Sequence, residues 1–257
     1  MMFMPEPSGG FEWTQAPWGR VLRCRPLLEV ADHFFTAGSL RLARDSAEWD
    51  DVAALAGLPR GRLRLISQVH GHAIAVARHG SAVPWPTPEA DGIVSDDPSL
   101  ALGVRVADCA PILVADRRYG VVAAVHAGWR STLQRIVAEA VGALQREFGS
   151  DPADLVAAIG PSLGACCGEM GEEVVEAFRA AGHSEVRIER WFSREPGRRP
   201  HFDLWRANSD QLMDAGVPAG SIHVSGLCTR THRDVFHSYR AMGPAAGRMV
   251  GVIRRRG

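Results

Sequence analysis

No stretch of this 257-residue chain reaches the roughly 18 consecutive apolar residues that a membrane-spanning helix requires. The opening "MMFMPEPSGG" lacks a basic start followed by an apolar run, so no secretory signal is expected. Five cysteines, an odd number in a chain this long, do not make a disulfide framework, and the expected compartment is the cytoplasm. Net charge is missing too. Lys plus Arg equals Asp plus Glu at 29 each, so no overall field draws the chain to nucleic acid or to an anionic membrane, and neither is expected as a partner. The basic side chains are arginines, and the terminal "VIRRRG" reads as a solvated tail. There is no fixed-period repeat and no G-x-G-x-x-G, P-loop or G-x-S-x-G pattern, which argues against common nucleotide-cofactor and serine-hydrolase chemistry.

What is present is an ordinary globular composition, 46% hydrophobic and 23% charged, with length enough for a substantial core. Residues 1–18, rich in Pro, Gly and Trp, read as a flexible N-terminal arm, and residues 19–257 as one domain. "SAEWDDVAALAGLP" predicts a helix ended by Gly57 and Pro59. "LRLISQVHGHAIAVA" predicts strand, turn, strand, and "GSAVPWPTPEADGIVSDDP" a proline-rich loop. "LALGVRVADCAPILVAD" and "YGVVAAVHAG" read as two apolar strands. Ser131 and Thr132 are placed to cap a helix with apolar positions Leu133, Ile136, Val137, Ala140, Val141, Leu144 and Phe148. Further strands are expected at "DLVAAIGPS", "SIHVSGLCT" and "RMVGVI", and helices at "GEEVVEAFRAAG" and after a capping Asp203. Strands and helices do not alternate strictly, so the expected fold is α+β, with mixed sheets flanked by helices.

Three residues with metal-binding chemistry stand at the ends of apolar strands: His70 after "LRLISQV", Cys109 after "LGVRVAD" and His126 after "GVVAAV". Strand ends of one sheet converge on one edge, where crevices form. Two imidazoles and a thiolate are an ordinary zinc ligand set that leaves a fourth position open, and their residual positive charge favours phosphate or an ionised water. The competing reading makes Cys109 a small buried apolar residue and gives both histidines local hydrogen bonds. Spacing alone does not decide between them.

The segments "SQVHG", "EADGIVSDDPSLALGVRVADCAPILVAD", "VAAVHAGWRST", "IGPSLGACCGEMGEEV" and "HSYRAMGPAAGRM" occur in an order that resembles the YfiH-like family. Its members are also called laccase-domain proteins, multicopper polyphenol oxidases or peptidoglycan editing factors. The resemblance spans about residues 60–254, and "ADC" followed by "HAGWR" is its most specific feature. It implies that His70, Cys109 and His126 are metal ligands at a catalytic centre holding zinc, with copper as the other candidate. Arg130 and Arg240 become candidate substrate-binding residues. Asp91 and Asp203 occupy positions filled alike in the family, and His72, Cys166, Cys167, Cys228 and residues 237–239 are weaker candidates. The chain also departs from the pattern: Gly168 stands where tyrosine is expected, His237 replaces an aromatic, and the early threonine–arginine stretch is absent.

The resemblance implies purine nucleoside chemistry: phosphorolysis of adenosine, inosine or methylthioadenosine, with adenosine deamination, so that a small nucleoside and phosphate are the expected partners. Three alternatives stay open. One is an amidase editing peptidoglycan precursors, in which Cys109 could serve as a nucleophile. Another is copper-dependent phenol oxidation, disfavoured because the chain offers one His-x-His and no His-Cys-His. The third is a purine-binding module without turnover.

Overall fold

The computed structural model of the chain describes residues 3–80 and 85–256. Its strands in chain order are β1 (Phe11–Ala16), β2 (Gly19–Cys24), β3 (Ala31–Thr36), β4 (Leu63–Leu65), β5 (Ile74–Ala77), β6 (Gly92–Ser95), β7 (Ala101–Val106), β8 (Ala110–Asp116), β9 (Val122–Ala127), β10 (Leu155–Ile159), β11 (Phe192–Ser193), β12 (His201–Phe202), β13 (Ile222–Val224) and β14 (Met249–Arg255). The helices are α1 (Arg25–Leu28), α2 (Glu48–Leu55), α3 (Trp129–Leu133), α4 (Ile136–Phe148), α5 (Glu172–Ala180), α6 (Glu185–Trp191), α7 (Leu204–Asp214) and α8 (Tyr239–Met242).

Two six-stranded mixed sheets are stacked. The first runs β1-β2-β3-β14-β7-β4 and the second β13-β10-β8-β9-β6-β5, which is the expected α+β arrangement of mixed sheets with flanking helices. Why β8 is apolar up to Asp116, and β9 up to His126, follows from their surroundings. Side chains alternate across a strand. Ile112, Val114, Ala123 and Val125 face α4 and α7, packing with Ile136, Val137, Leu144 and Leu212. Leu113, Ala115, Val122 and Ala124 face the first sheet, packing with Phe35, Leu102, Val104 and Ile253. A third core lies on the far side of the first sheet, where Trp49, Val52 and Ala53 of α2 meet Val21, Phe34 and Val252. The layers are therefore α2, sheet, sheet, and the α4–α7 pair.

Several local expectations are corrected. The segment expected as a flexible arm contains β1, paired with β2 from Phe11↔Cys24 to Ala16↔Gly19; Phe11 and Ala16 are buried, so apolar burial orders it despite its Pro and Gly content. The proline-rich loop contains β6, which pairs with β9 and with β5; residues 81–84 of that loop lie outside the described residues. "LALGVRVADCAPILVAD" is two strands in different sheets, β7 and β8, and the strands of "LRLISQVHGHAIAVA" are likewise divided between the sheets.

The predicted cap at Ser131 and Thr132 is also displaced. Both are buried inside α3, whose N-cap is Gly128, and Arg135 at φ 60° separates α3 from α4. Residues of α7 hold the broken end: Gln211 Nε2 donates to the Thr132 carbonyl at 2.9 Å, and Asn208 Nδ2 to the Thr132 hydroxyl at 3.1 Å. Asp203 does cap α7, accepting from Arg206 N at 2.9 Å.

Candidate metal centre

The fold brings the three residues together, although only His126 stands at a strand end as expected: Cys109 directly precedes β8, and His70 lies in the loop between β4 and β5. His70 lies on the segment that leaves the first sheet after β4 and enters the second at β5. Cys109 lies on the crossing from β7 to β8, and His126 is within β9, near its end. Their ligand atoms all lie within 4.8 Å of one another, and the two imidazole rings meet nearly edge to face with centroids 4.9 Å apart.

Asp91 organises this cluster. Fully buried just before β6, its carboxylate accepts from the N–H groups of Val69, His70 and Gly71 at 3.1, 3.0 and 2.7 Å. These three bonds hold the loop that puts His70 into left-handed backbone geometry, φ 61°. The same carboxylate takes His126 Nδ1 at 2.8 Å, which leaves Nε2 as that ring's other nitrogen, while the Asp91 carbonyl accepts from His126 N at 2.7 Å. A carboxylate on the far nitrogen of a ligating imidazole fixes its tautomer and orientation. Burial works against the Asp91 charge, but the His126 ring and the N–H groups of Gly71 and Val69 outweigh it and hold the carboxyl below its ordinary range.

Burial opposes a thiolate at Cys109, yet His126 and His70 bring the thiol down to about 6. Burial likewise opposes an imidazolium at His126, yet Cys109 and Asp91 raise it to about 9. A deprotonated sulfur beside two imidazoles is the donor chemistry that zinc and copper take. Gly128 supplies a second sign of fit. A Cβ there would come within 2.9 Å of Cys109 Sγ and 3.3 Å of His70 Cδ2, so the backbone closes on the donors as only glycine permits.

The cluster opens into a cavity of about 680 Å³. Arg130 lines it, stacked on the Trp129 ring at 4.4 Å, and Trp129 also packs against the helical core. Arg240 lines it as well, but its guanidinium donates to the carbonyls of Cys167 and Glu169 at 3.2 and 2.9 Å. Tyr239 faces the cavity, whereas His237 is buried against the Leu40 carbonyl and Ser238 caps α8. His72 is exposed and bonded to Gln134. Gly168 stands in the wall, where a Cβ would meet the Phe202 carbonyl at 2.3 Å, so this backbone has no room for the expected tyrosine.

Sequence reasoning missed Arg44, Arg105 and Arg248, which also line the cavity. Burial, then repulsion from Arg44 and Arg248, lowers the Arg105 pKa, and no carboxylate lies within ion-pair distance of any of the three among the described residues. The one signal was an arginine inside the otherwise apolar "LGVRV". Asp108 was missed too. At φ 86° it turns the chain into Cys109, and its carboxylate accepts from Thr229 Oγ1 at 2.6 Å and Arg240 N at 2.5 Å.

The relatives agree with this architecture. The chain is 38% identical over 212 residues to a protein from Deinococcus radiodurans named purine nucleoside phosphorylase, covering 80% of this chain and 76% of that one. A Bacteroides thetaiotaomicron protein of the same name is 40% identical over 163 residues, 63% of this chain, and the match spans only 60% of that relative's length. A protein of an unknown prokaryotic organism named adenosine deaminase is 39% identical over 64% of this chain and 62% of its own length. The crystal structure of the hypothetical protein YfiH from Bacillus licheniformis superposes with a TM-score of 0.86 at 26% identity, covering 96% of this chain and all of that one. Residues 46–256 match the family described as multi-copper polyphenol oxidoreductase laccase, and the chain accordingly belongs to that family, the YfiH-like proteins.

Proposed function

We propose that the chain is a zinc-dependent purine nucleoside enzyme that cleaves adenosine or inosine with phosphate and also deaminates adenosine. The observation that carries this reading is the pairing of the His70–Cys109–His126 cluster with an arginine-lined cavity of nucleoside size, about 680 Å³. The activities named for the relatives from Deinococcus radiodurans and the unknown prokaryote point to the same chemistry. Five arginines line the cavity, Arg44, Arg105, Arg130, Arg240 and Arg248, against one acidic residue, Asp108. Asp108 is engaged by Thr229 and Arg240, so the cavity keeps an excess of positive charge.

In this reading His70, Cys109 and His126 hold the ion, and Asp91 fixes the ring of His126. Zinc would act as a Lewis acid, polarising an oxygen of phosphate or water at the cluster. The guanidinium groups bind and orient phosphate, with their planar forks matching two of its oxygens at once. Arg130, steadied by Trp129, extends that wall toward the cluster.

The test is product analysis of the zinc-loaded protein with adenosine and inosine, with and without phosphate. Ribose 1-phosphate formed only in the presence of phosphate is expected, together with inosine from adenosine. His126→Ala should abolish both. Absence of either product from the zinc-loaded wild-type protein would refute the reading.

A second reading rests on the Cys109–His126 pair, whose lowered thiol and raised imidazole also suit a nucleophilic cysteine cleaving an amide. Alkylation separates the two. A zinc-held thiolate is shielded by the metal, whereas a nucleophile reacts whether or not metal is added. Phenol oxidation by several coppers fits less well, because no metal-binding group among the described residues contains more than two histidines.

A further inference from the structure

We propose that Cys166, Cys167 and Cys228 form a second metal site, separate from the first, that binds one closed-shell divalent cation such as Zn²⁺ with Thr231 at the fourth corner. The three sulfurs lie within 4.8 Å of one another. Four-coordinate zinc has metal–sulfur distances of about 2.3 Å, which puts sulfurs at two corners about 3.8 Å apart. Cys166 and Cys167 Sγ are 3.7 Å apart. An oxygen at the remaining corner, about 2.0 Å from the metal, would lie about 3.5 Å from each sulfur. The Thr231 hydroxyl lies 3.5 Å from Cys166 Sγ and 3.6 Å from Cys167 Sγ.

The backbone holds this arrangement. Cys166 and Cys167 occupy a tight turn in which Cys167 N donates to the Gly164 carbonyl at 3.0 Å. Cys228 is fixed by an isolated bridge to Ser162, through Ser162 N to the Leu227 carbonyl at 3.2 Å and Thr229 N to the Ser162 carbonyl at 3.0 Å. Cys228 is 3% exposed, and the other two thiols reach solvent, which gives an ion a path of entry. Burial opposes a thiolate at Cys228, but the Thr231 hydroxyl and the N–H groups of Thr231 and Gly164 outweigh it and lower that thiol. Binding would be ligand exchange without redox: each sulfur–metal bond replaces an S–H bond, the proton goes to solvent, and the ion keeps its charge.

The position gives the site a consequence for its neighbour. The Cys167 carbonyl anchors the Arg240 guanidinium, and Gly168 stands in the cavity wall. An ion on the three sulfurs would therefore clamp the wall of the first site without touching its donors.

Titration of the reduced, metal-free full chain with Co²⁺ and then Zn²⁺ tests this. Wild type is expected to bind two equivalents, and both Cys166→Ser/Cys167→Ser and Cys109→Ser one. The thiolate-to-cobalt charge-transfer band should stay strong in Cys109→Ser, which keeps three sulfurs, and fall to that of a single sulfur in the double variant. The double variant alters the two solvent-reaching positions, so its fold can be verified by circular dichroism independently of the buried Cys228. No trisulfur band in Cys109→Ser, or a second equivalent that survives in the double variant, would overturn the proposal. So would a mass two hydrogens lower, marking a disulfide among these three residues that persists under reductant. Because the two sites are read separately, failure here leaves the first site standing, and the reverse holds.

Discussion

At the scale of single residues, Asp91 does more than any donor to shape the cluster, since one carboxylate takes three backbone N–H groups and the His126 ring. Asp91→Asn replaces an acceptor oxygen with an N–H₂ facing those donors. We expect zinc affinity to fall about 10–100-fold, the usual cost of losing such an outer partner, as read by competition with a chromophoric chelator. Gly128→Ala sets a methyl 2.9 Å from Cys109 Sγ; the same titration should show a loss of zinc affinity while the thermal transition stays cooperative. Cys109 and His126 were legible because each stands beside an apolar run in which it does not belong; His70 was less so, since it lies in a loop past the short β4 and is placed by Asp91. Asp108 was not, since a turn-forming aspartate beside a cysteine looks like any other turn. Nor was the reason for Gly168: only the approach of the Phe202 carbonyl reveals why a side chain is excluded there.

At the scale of elements, periodicity carried the reading where both faces of a strand or one face of a helix are buried, as in β8, β9, α4 and α7. It failed where tertiary contacts decide. β1 is a mixed-polarity strand kept in place by its pairing with β2, and β6 is four residues long behind prolines. The break between α3 and α4 depends on α7 side chains far away in sequence.

The β2–β3 strand pair carries a pH-sensitive contact that was equally hidden. His33, buried in β3, accepts from Cys24 N at Nε2, 2.9 Å, and its Nδ1–H faces the Ala31 carbonyl at 3.3 Å. Burial pushes its pKa down to about 4. The unfolded chain therefore holds the proton more readily between about 6.5 and 4. Stability from this residue is fully present above pH 6.5 and drains away as pH falls to about 4, by on the order of 3 kcal/mol. Urea unfolding across that window should show the loss in wild type. The difference should shrink in His33→Gln, which can still accept from Cys24 N but does not titrate.

At the scale of the whole molecule, the fold gathers Arg44, Arg105 and Arg248 from three distant parts of the chain around one cavity. Composition gave no hint of this, because a chain with 29 basic and 29 acidic residues is neutral on average and only folding sorts its charges. If these guanidiniums hold phosphate, Arg105→Met should raise KM for phosphate at least tenfold. It should leave deamination of adenosine within about twofold, because that reaction uses water. Steady-state kinetics with each acceptor check the split. Equal loss of both would mean that the arginine supports the cavity and does not select the acceptor.

Two of the places where the chain passes between its sheets, the β4–β5 and β7–β8 segments, carry one residue of the cluster each, while the third belongs to β9. An ion gripped by all three would rivet the layers together at one corner, as a staple joins two pages. Stripping zinc with a chelator should then loosen a seam: amide hydrogen exchange should quicken around residues 67–72 and 107–109, while the far end, where β1 and β2 meet, keeps its protection.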